Sequence, residues 1–527
     1  MRFMTFIVSS KYLISLFLLL FFMQGFAVAQ GKTFEVRKLK LRGVQTHSDQ
    51  GISIRTLEKK VNEWRLETYP QPRLTLEQIE DLAYRVSKFY QDLGFSFVAA
   101  FVPKQKIRRG VVIIQVREDK LADVQIRNVS EEQSKDMMNE FKEMVGKPVF
   151  KPDLEEPILL LNDNPNREVF AYFSRGREIG ETRLNLNVKQ TSSAQLNVGV
   201  NNTGSPSTGE NRWWVNGNVK NPFGWDDQFS VNLTQTVDNT ANLFGSFTYQ
   251  KYLDTRRSYT IGVVSNQYQL GDDLALFDLK GEYFAVSYVS RKKLVRRFSL
   301  SSNQSWSIGY RQSTLTSGLS SSLNQDDGAI VGNYQLATTD YQVIFGDYLT
   351  KSVDWSFSLI TADNDKLDED IYTKVNGFLQ SGKSIGNYVP GFLTRFTSKL
   401  SIQYAFQSLP SADKSPLSGT SGVRAFDSGV FSADESVVLQ FKLSFMNRNQ
   451  YGQFDPYGFY DHGYGIRKAL GSNVGAELSG YGFGLGYKFK DWLSLDASYA
   501  VTKEAKIGDL IKAEDSKFLL TLEVKVW

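Results

Sequence analysis

The chain is 527 residues long, enough for more than one domain, and its 61 basic and 57 acidic side chains leave a formal charge of only +4, which carries no signal for nucleic acid. It has no cysteine, which excludes disulfides, thiolate metal sites and a cysteine nucleophile. It has two histidines, His47 and His462, too few for a histidine-ligated metal cluster, and at 13% aromatic residues, mostly Tyr and Phe, it is rich in large rings.

The N-terminus joins a basic start (Arg2, Lys11), an apolar run over 12–23 and Ala27-Val28-Ala29, the three parts of a secretory signal peptide. The run is shorter than the roughly 20 residues of a spanning helix. A signal peptide over 1–29 and a mature chain from Gln30 are therefore expected. No later apolar run reaches helical-span length, so any membrane met beyond export must be crossed by strands.

From Phe34 the pattern predicts a strand over 34–44, two helices, and strands over 95–102 and 111–116. The second helix is the clearer, with Leu76, Ile79, Leu82, Ala83, Val86, Phe89, Tyr90 and Leu93 at spacings of three and four. Thr75 and Gln78 form a capping box at its start, and Gly94 ends it. Strand, helix, helix, strand, strand makes a small α+β module with its helices on one sheet face. The order repeats, with a strand over 121–129, helices over 131–145 and 153–161, and strands over 169–173 and 182–188. The expected modules are 30–118 and 119–191. Such modules present a sheet edge and a groove between helix and strand, and an extended peptide can add to the edge by backbone hydrogen bonds; the same architecture would also serve as a plain spacer.

From 192 to 527 helical periodicity gives way to alternating segments. Leu196, Val198 and Val200 oppose Asn197, Gly199 and Asn201; Phe229, Val231 and Leu233 repeat the pattern. Leu400, Ile402, Tyr404 and Phe406 oppose Lys399, Ser401, Gln403 and Gln407, and Tyr481, Phe483, Leu485, Tyr487 and Phe489 oppose glycines and lysines. A greasy face against a polar one suits a membrane barrel with lipid outside and water inside, and the aromatics suit interfacial girdles. A water-soluble sandwich alternates too, without setting Lys and Gln so regularly against aromatics. At about 21 residues per strand and connection the region holds about 16 strands; one is hardest to see between Thr350 and Pro390. A segment over about 407–435 lacks periodicity and is longer than a compact fold tolerates without a task. It carries Val423-Arg424-Ala425-Phe426 and opens into a strand in which Val437, Leu439, Phe441, Leu443 and Phe445 oppose Gln440, Lys442 and Ser444.

Several stretches together resemble one family. Tyr90-Gln91-Asp92-Leu93-Gly94-Phe95 with Val102-Pro103-Lys104-Gln105, and Leu160-Leu161-Asn162-Asp163-Asn164-Pro165 with Arg175-Gly176-Arg177, are similar to the first and second POTRA modules of the TpsB two-partner-secretion transporters, within the Omp85 superfamily. Asn221-Pro222-Phe223-Gly224-Trp225-Asp226-Asp227 resembles the start of that family's barrel. Val423-Arg424-Ala425-Phe426 resembles the tip of its long inward loop, usually Val-Arg-Gly-Phe or Val-Arg-Gly-Tyr. Phe459-Tyr460-Asp461-His462-Gly463 is similar to the wall motif that receives the loop arginine. The resemblance implies an outer-membrane pore of a Gram-negative bacterium, with its modules in the periplasm. Its client would be an unfolded TpsA-like exoprotein, haemolysin- or adhesin-like and β-helical; lipid, periplasmic chaperones and the barrel-assembly machinery are its other expected partners. It implies no cofactor and pairs Arg424 with Asp461; Val423, Ala425 and Phe426 complete the loop motif, and Phe459 and Gly463 the wall motif.

Three features depart from that pattern. Ala425 stands where the family has Gly, and its Cβ disfavours the positive-φ conformations glycine allows. Phe34 begins the first module so early that an N-terminal plug helix has no room, which leaves the lumen either less obstructed or closed by the loop alone. Trp527 ends the chain, but Phe518, Leu520, Leu522, Val524 and Val526 occupy the other parity. No nucleophile elbow, phosphate loop or zinc spacing appears, and Asp226 and Asp227 fall in a turn, so no enzyme is expected. His462 reads as a polar lumen residue. Alternatives of other kinds are an Omp85-type insertase, built on the same plan, and a diffusion porin, which has no need of periplasmic modules.

Overall fold

The computed structural model describes residues 32–237, 242–343, 346–361, 370–468, 472–511 and 515–527; the expected signal peptide over 1–29 lies outside them. The described chain forms two compact units. One takes residues up to 124 with 143–152 and 173–184, and the other 125–142, 153–172 and 185–527.

The first unit is built from β1 (Thr33–Glu35), β2 (Lys38–Arg42), α1 (Ile54–Thr68), β3 (Arg73–Thr75), α2 (Leu76–Asp92), β4 (Val98–Phe101) and β5 (Val111–Glu118), and the start of β6 (Lys120–Arg127). The single strand expected over 34–44 is two. β1 pairs antiparallel with β3, and β2 pairs parallel with β5, which continues antiparallel to β4. The break falls where the N–H of Val36 bonds to Pro72 and those of Arg37 and Lys38 turn to Gly110. α2 begins at the Thr75–Gln78 capping box. Its Ile79, Leu82, Val86 and Tyr90 are buried against Leu39 and Leu41 of β2 and Val112 and Ile114 of β5, the apolar stripe that fixes helix on sheet. Glu118, 6% exposed, accepts bonds from the Tyr90 hydroxyl (3.0 Å), the Gln45 N–H (2.9 Å) and His47 Nε2 (2.7 Å). Burial beside that carboxylate pushes the Tyr90 phenol well above its ordinary range.

Next come α3 (Glu131–Asn139), α4 (Lys151–Asn162), β7 (Arg167–Arg175) and β8 (Glu181–Gln190); β6, β8 and β7 form a three-stranded sheet in that order. The helix expected over 131–145 stops early. The Phe141 N–H bonds three residues back to Met138, and turns follow.

The remaining strands are β9 (Ser193–Asn201), β10 (Arg212–Lys220), β11 (Asp227–Thr236), β12 (Asn242–Tyr252), β13 (Arg257–Gln269), β14 (Leu279–Arg296), β15 (Leu300–Ser317), β16 (Gln325–Asp340), β17 (Tyr348–Ile360), β18 (Ile371–Val389), β19 (Phe392–Ala405), two-residue β20 (Ser415–Pro416) and β21 (Ser432–Ala433), β22 (Glu435–Asn449), β23 (Gly452–Arg467), β24 (Val474–Phe489), β25 (Leu493–Ile507), two-residue β26 (Leu510–Ile511) and β27 (Ser516–Lys525). β20 and β21 pair only with each other, and β26 is a two-residue extension of the β25 ladder; the others close into a 16-strand antiparallel barrel. Two strands, β17 and β18, occupy the stretch from Thr350 to Pro390 in which one was hard to see. Closure comes from β27 against β9, paired at five positions where β9 and β10 pair at nine. Beyond those five, Asn202 stands in for a ladder residue. Its Oδ1 accepts the Leu520 N–H at 2.7 Å and its Nδ2 donates to the Phe518 carbonyl at 2.8 Å.

Trp306, Ile308, Phe357 and Phe483 stand exposed on the outer face, more than half accessible, as a lipid-facing girdle requires. On the inner face, large rings lie across strands that offer glycine. A Cβ at Gly482 would come 2.5 Å from the Phe459 ring, and one at Gly484 would come 2.4 Å from the Tyr457 ring. Alternating glycines in β24 thus make room for aromatics of β23.

Candidate functional site

The segment without periodicity runs over 406–434 between β19 and β22. The β20–β21 pair forms its stem, and the Leu417 N–H bonds to the Phe431 carbonyl above it. At the tip, turns are closed by bonds from the Val423 N–H to the Leu417 carbonyl and from the Phe426 N–H to the Val423 carbonyl. Leu417, Val423, Ala425, Phe426 and Phe431 are buried against Val438, Tyr457, Phe459, Leu478 and Ala500. These wall residues belong to β22 through β25 and share the inner face, so the segment lies inside the barrel against that wall.

The floor of this seat is glycine. A Cβ at Gly463 would stand 3.1 Å from Leu417 and 3.2 Å from Val423; one at Gly480 would stand 2.5 Å from the Ala425 methyl. Ala425 is absent from the residues with positive φ, so the tip does not need the glycine-like backbone that its side chain would resist. Its methyl occupies the space that Gly480 leaves.

Within that seat Arg424 reaches Asp461, which lies between Phe459 and Gly463 on β23. Its Nε donates to Oδ2 at 2.8 Å, its Nη2 to Oδ1 at 2.7 Å, and its backbone N–H to Oδ2 at 3.1 Å. The carboxylate is fully buried and the guanidinium side chain 18% exposed. The planar fork meets both oxygens, a geometry lysine cannot reproduce. The guanidinium carbon also sits 3.7 Å from the centre of the Phe459 ring, whose far edge Gly482 accommodates. Val423, Arg424, Ala425 and Phe426 therefore converge with Phe459, Asp461 and Gly463 at one place on the wall.

His462 is not a lumen residue. As the neighbour of Asp461 in β23 it points to the opposite, outer face, where Nε2 lies 3.9 Å from Glu477.

Three further acidic residues of the loop were not singled out by the sequence. Asp434, fully buried, accepts the Leu409 and Lys468 N–H groups at 2.6 and 2.8 Å and Lys414 Nζ at 2.8 Å, which ties the loop's two ends together. Asp427 pairs with Lys517 of β27 beside the Thr203 carbonyl, to which Ser428 donates. Asp413 reaches Arg311 of β15 and Tyr372 and Lys374 of β18. Lys517 and Arg311 lie 90 and 102 residues from their carboxylates, in featureless polar alternation; an unpaired charge on an inner face was the only signal available.

Of the two aspartates expected in a turn, Asp226 lies in it and Asp227 is the first residue of β11, where it pairs with Lys251 of β12. Asp226, with φ of 57°, accepts Gln133 Nε2 of α3 at 3.0 Å and Arg167 Nη1 of β7 at 3.3 Å, while the Asp227 carbonyl accepts Asn166 Nδ2 at 3.0 Å. Next to it, Arg256 in the turn between β12 and β13 bonds Glu140 and Glu156, and Asp163 bonds Lys293 and Arg296 of β14. These turns form a charged collar that holds the helices before the barrel. Among the described residues, no cluster of His, Asp and Glu has metal-binding geometry.

Two family profiles match the chain. The one described as haemolysin secretion/activation protein ShlB/FhaC/HecB matches residues 180–269 and 333–487, and the ShlB-type POTRA domain matches 35–119. The chain is 24% identical over 476 residues to the heme/hemopexin transporter protein HuxB of Haemophilus influenzae, covering 87% of this chain and 82% of that one. It is 22% identical over 374 residues to the hemolysin transporter protein HpmB of Proteus mirabilis, 63% of each. Among solved structures, CdiB from Escherichia coli superposes with a TM-score of 0.68 at 16% identity, over 95% of this chain and 92% of that one. BamA from Haemophilus ducreyi lacking POTRA domains 1–3 superposes with a TM-score of 0.53 at 12% identity, over 93% and 100%.

Proposed function

Since the chain belongs to the ShlB/FhaC/HecB family of TpsB outer-membrane transporters, with its POTRA region in the periplasm, we propose that it exports one unfolded partner exoprotein, haemolysin- or adhesin-like and β-helical, to the cell surface. Two periplasmic modules, over 30–118 and 119–191, capture the extended client, the exposed sheet edge supplying backbone hydrogen bonds. The client passes through the barrel and folds outside, and its folding draws the rest of the chain through. The observation that carries this reading is the meeting of Arg424 with Asp461 inside a 16-strand barrel, one residue from each of the two motifs. We assign that pair to holding the inward loop in its seat. Desolvation offsets much of an ion pair's attraction, whereas loss of one buried partner is costly, so the pair fixes position more than it adds stability.

Export is tested by secretion of a co-encoded β-helical client in cells with the wild type, Arg424→Ala, Asp461→Ala or a deletion of 30–118, with barrel assembly followed by heat-modifiable gel mobility. Assembled barrels that fail to secrete support the proposal. Undiminished secretion together with a decline of unrelated outer-membrane barrels would replace it with an insertase, whose barrel has the same fold.

A further inference from the structure

The docked loop covers only part of the inner wall. Its apolar tip lies on β22 to β25. The facing wall, β14 to β18, lines a cavity of about 480 Å³. Ser287, Ser305, Asn333, Gln335, Ser356 and Asn376 give most of that cavity neutral side chains that can exchange hydrogen bonds with a passing backbone, with Arg291 and Asp354 as the charged residues of its lining away from the loop. The passage meets the loop at one point, where Asp413, Arg311 and Lys374 stand in its lining.

That junction is a built contact. Arg311 Nη2 lies 2.5 Å from Asp413 Oδ2, Lys374 Nζ lies 3.2 Å from Oδ1 and 2.8 Å from the Asp413 carbonyl, and the Tyr372 hydroxyl bonds the same carboxylate. Gln403 Nε2 adds a bond to the carbonyl at 3.2 Å. Arg311 is 6% exposed, and its Nε and Nη1 have no partner among the described residues. Two largely buried cations thus share one carboxylate, and its loss would deprive both of the only ion-pair partner they have among the described residues. The carboxylate comes from the loop and the cations from the wall, so the contact exists only while this part of the loop is docked at the cavity.

Resting on the export reading above, we infer that Asp413 is a second latch, separate from the Arg424–Asp461 pair, and that it closes the polar passage. Arg424 holds the tip on a wall where apolar burial already seats it. Asp413 holds the strap across the opening. Release of Asp413 opens the passage and leaves Arg311 and Lys374 beside the client, with free donors for its carbonyl and carboxylate oxygens.

The test needs no client, so its failure is separable from failure of the secretion experiment. The full chain is purified, reconstituted in planar bilayers and compared with Asp413→Asn, Lys374→Gln and Arg424→Ala. Since the chain has no cysteine, Asn333→Cys, added to each of these proteins, reports access to the passage through the rate at which its single thiol is modified by a cationic methanethiosulfonate. Asp413→Asn and Lys374→Gln should raise open probability and speed modification of that thiol about tenfold or more, the scale expected for losing a charged hydrogen bond. Arg424→Ala should change access to it much less. Wild-type currents and modification rates in both latch variants would overturn the inference. So would failure of both variants to assemble, which would make the cluster a folding element.

Discussion

Replacement of Arg424 by alanine isolates the energy with which the loop tip is held. Two guanidinium bonds to Asp461 are lost, at 2.8 and 2.7 Å, while the backbone N–H at 3.1 Å survives because alanine keeps it. The carboxylate, fully buried in the wild type, is left with one donor in place of three. Breaking a buried pair costs about 3–5 kcal/mol, and the surviving bond and the untouched apolar contacts put this case at about 3 kcal/mol. At 1.4 kcal/mol per factor of ten, the ratio of seated to released tip falls on the order of a hundredfold. Phe426, 5% exposed when seated, is a site for chymotrypsin only when the tip leaves. In the regime where cleavage is slow relative to reseating, the rate of nicking follows the released population. Chymotrypsin should therefore cut Arg424→Ala about a hundred times faster than the wild type, with Arg424→Lys in between because a single ammonium cannot engage both oxygens. Asp461→Asn should resemble the lysine variant. Wild-type cleavage rates in both Arg424→Ala and Asp461→Asn, in barrels shown by gel mobility to be assembled, would refute the assignment of this pair as the tip's anchor.

Gly480→Ala places a methyl 2.5 Å from that of Ala425 and 3.0 Å from the Val501 carbonyl and should lift the tip at a cost of about 1–3 kcal/mol; Ala425→Gly in the same chain relieves the first contact and should recover part of it, read by the same chymotrypsin assay. Gly482→Ala meets the Tyr499 carbonyl at 2.2 Å as well as the Phe459 ring, so it should impair assembly of the barrel, seen as loss of the heat-modifiable band. Arg256→Ala removes the partner of Glu140 and Glu156 and should weaken the hold on α3 and α4 by about 1 kcal/mol, measured as roughly fivefold faster amide exchange there. In the first unit, the raised Tyr90 phenol stays protonated in the fold while the unfolded chain ionises near its ordinary value of about 10. Its contribution is fully present below that pH and is lost above it, so exchange protection of α2 should fall at alkaline pH, with a shallower slope in Tyr90→Phe.

The barrel was legible because membrane strands write their two environments as alternation, and α2 because its cap, stripe and terminal glycine agree. The break between β1 and β2 was not, since it is set by the carbonyls of Pro72 and Gly110, which no local pattern reveals. Arg424 and Asp461 were readable through family motifs, and the geometry brings them together. The reason for Ala425 was hidden in a different strand, at Gly480, because a glycine leaves no mark of what it accommodates. His462 was misplaced by an assumption that polar means lumen; parity with Asp461 would have put it outside. Asp413 lay in an unpatterned loop, and its partners sit in strands that read as ordinary polar alternation.

The loop's contacts also have a mechanical meaning. They begin at Arg311 on β15, pass through Asp461 on β23 and end at Lys517 on β27, reaching past more than half of the strands in the hoop. A cylinder of hydrogen-bonded strands resists stretching along its circumference but flattens easily, because each strand pair acts as a shallow hinge. The loop is a chord fastened across that cylinder, and it sets the cross-section as a spoke sets a rim. On the latch proposal, release of the loop would remove an obstruction from the pore and a brace from the wall at the same moment, so the bore and its roundness would change together.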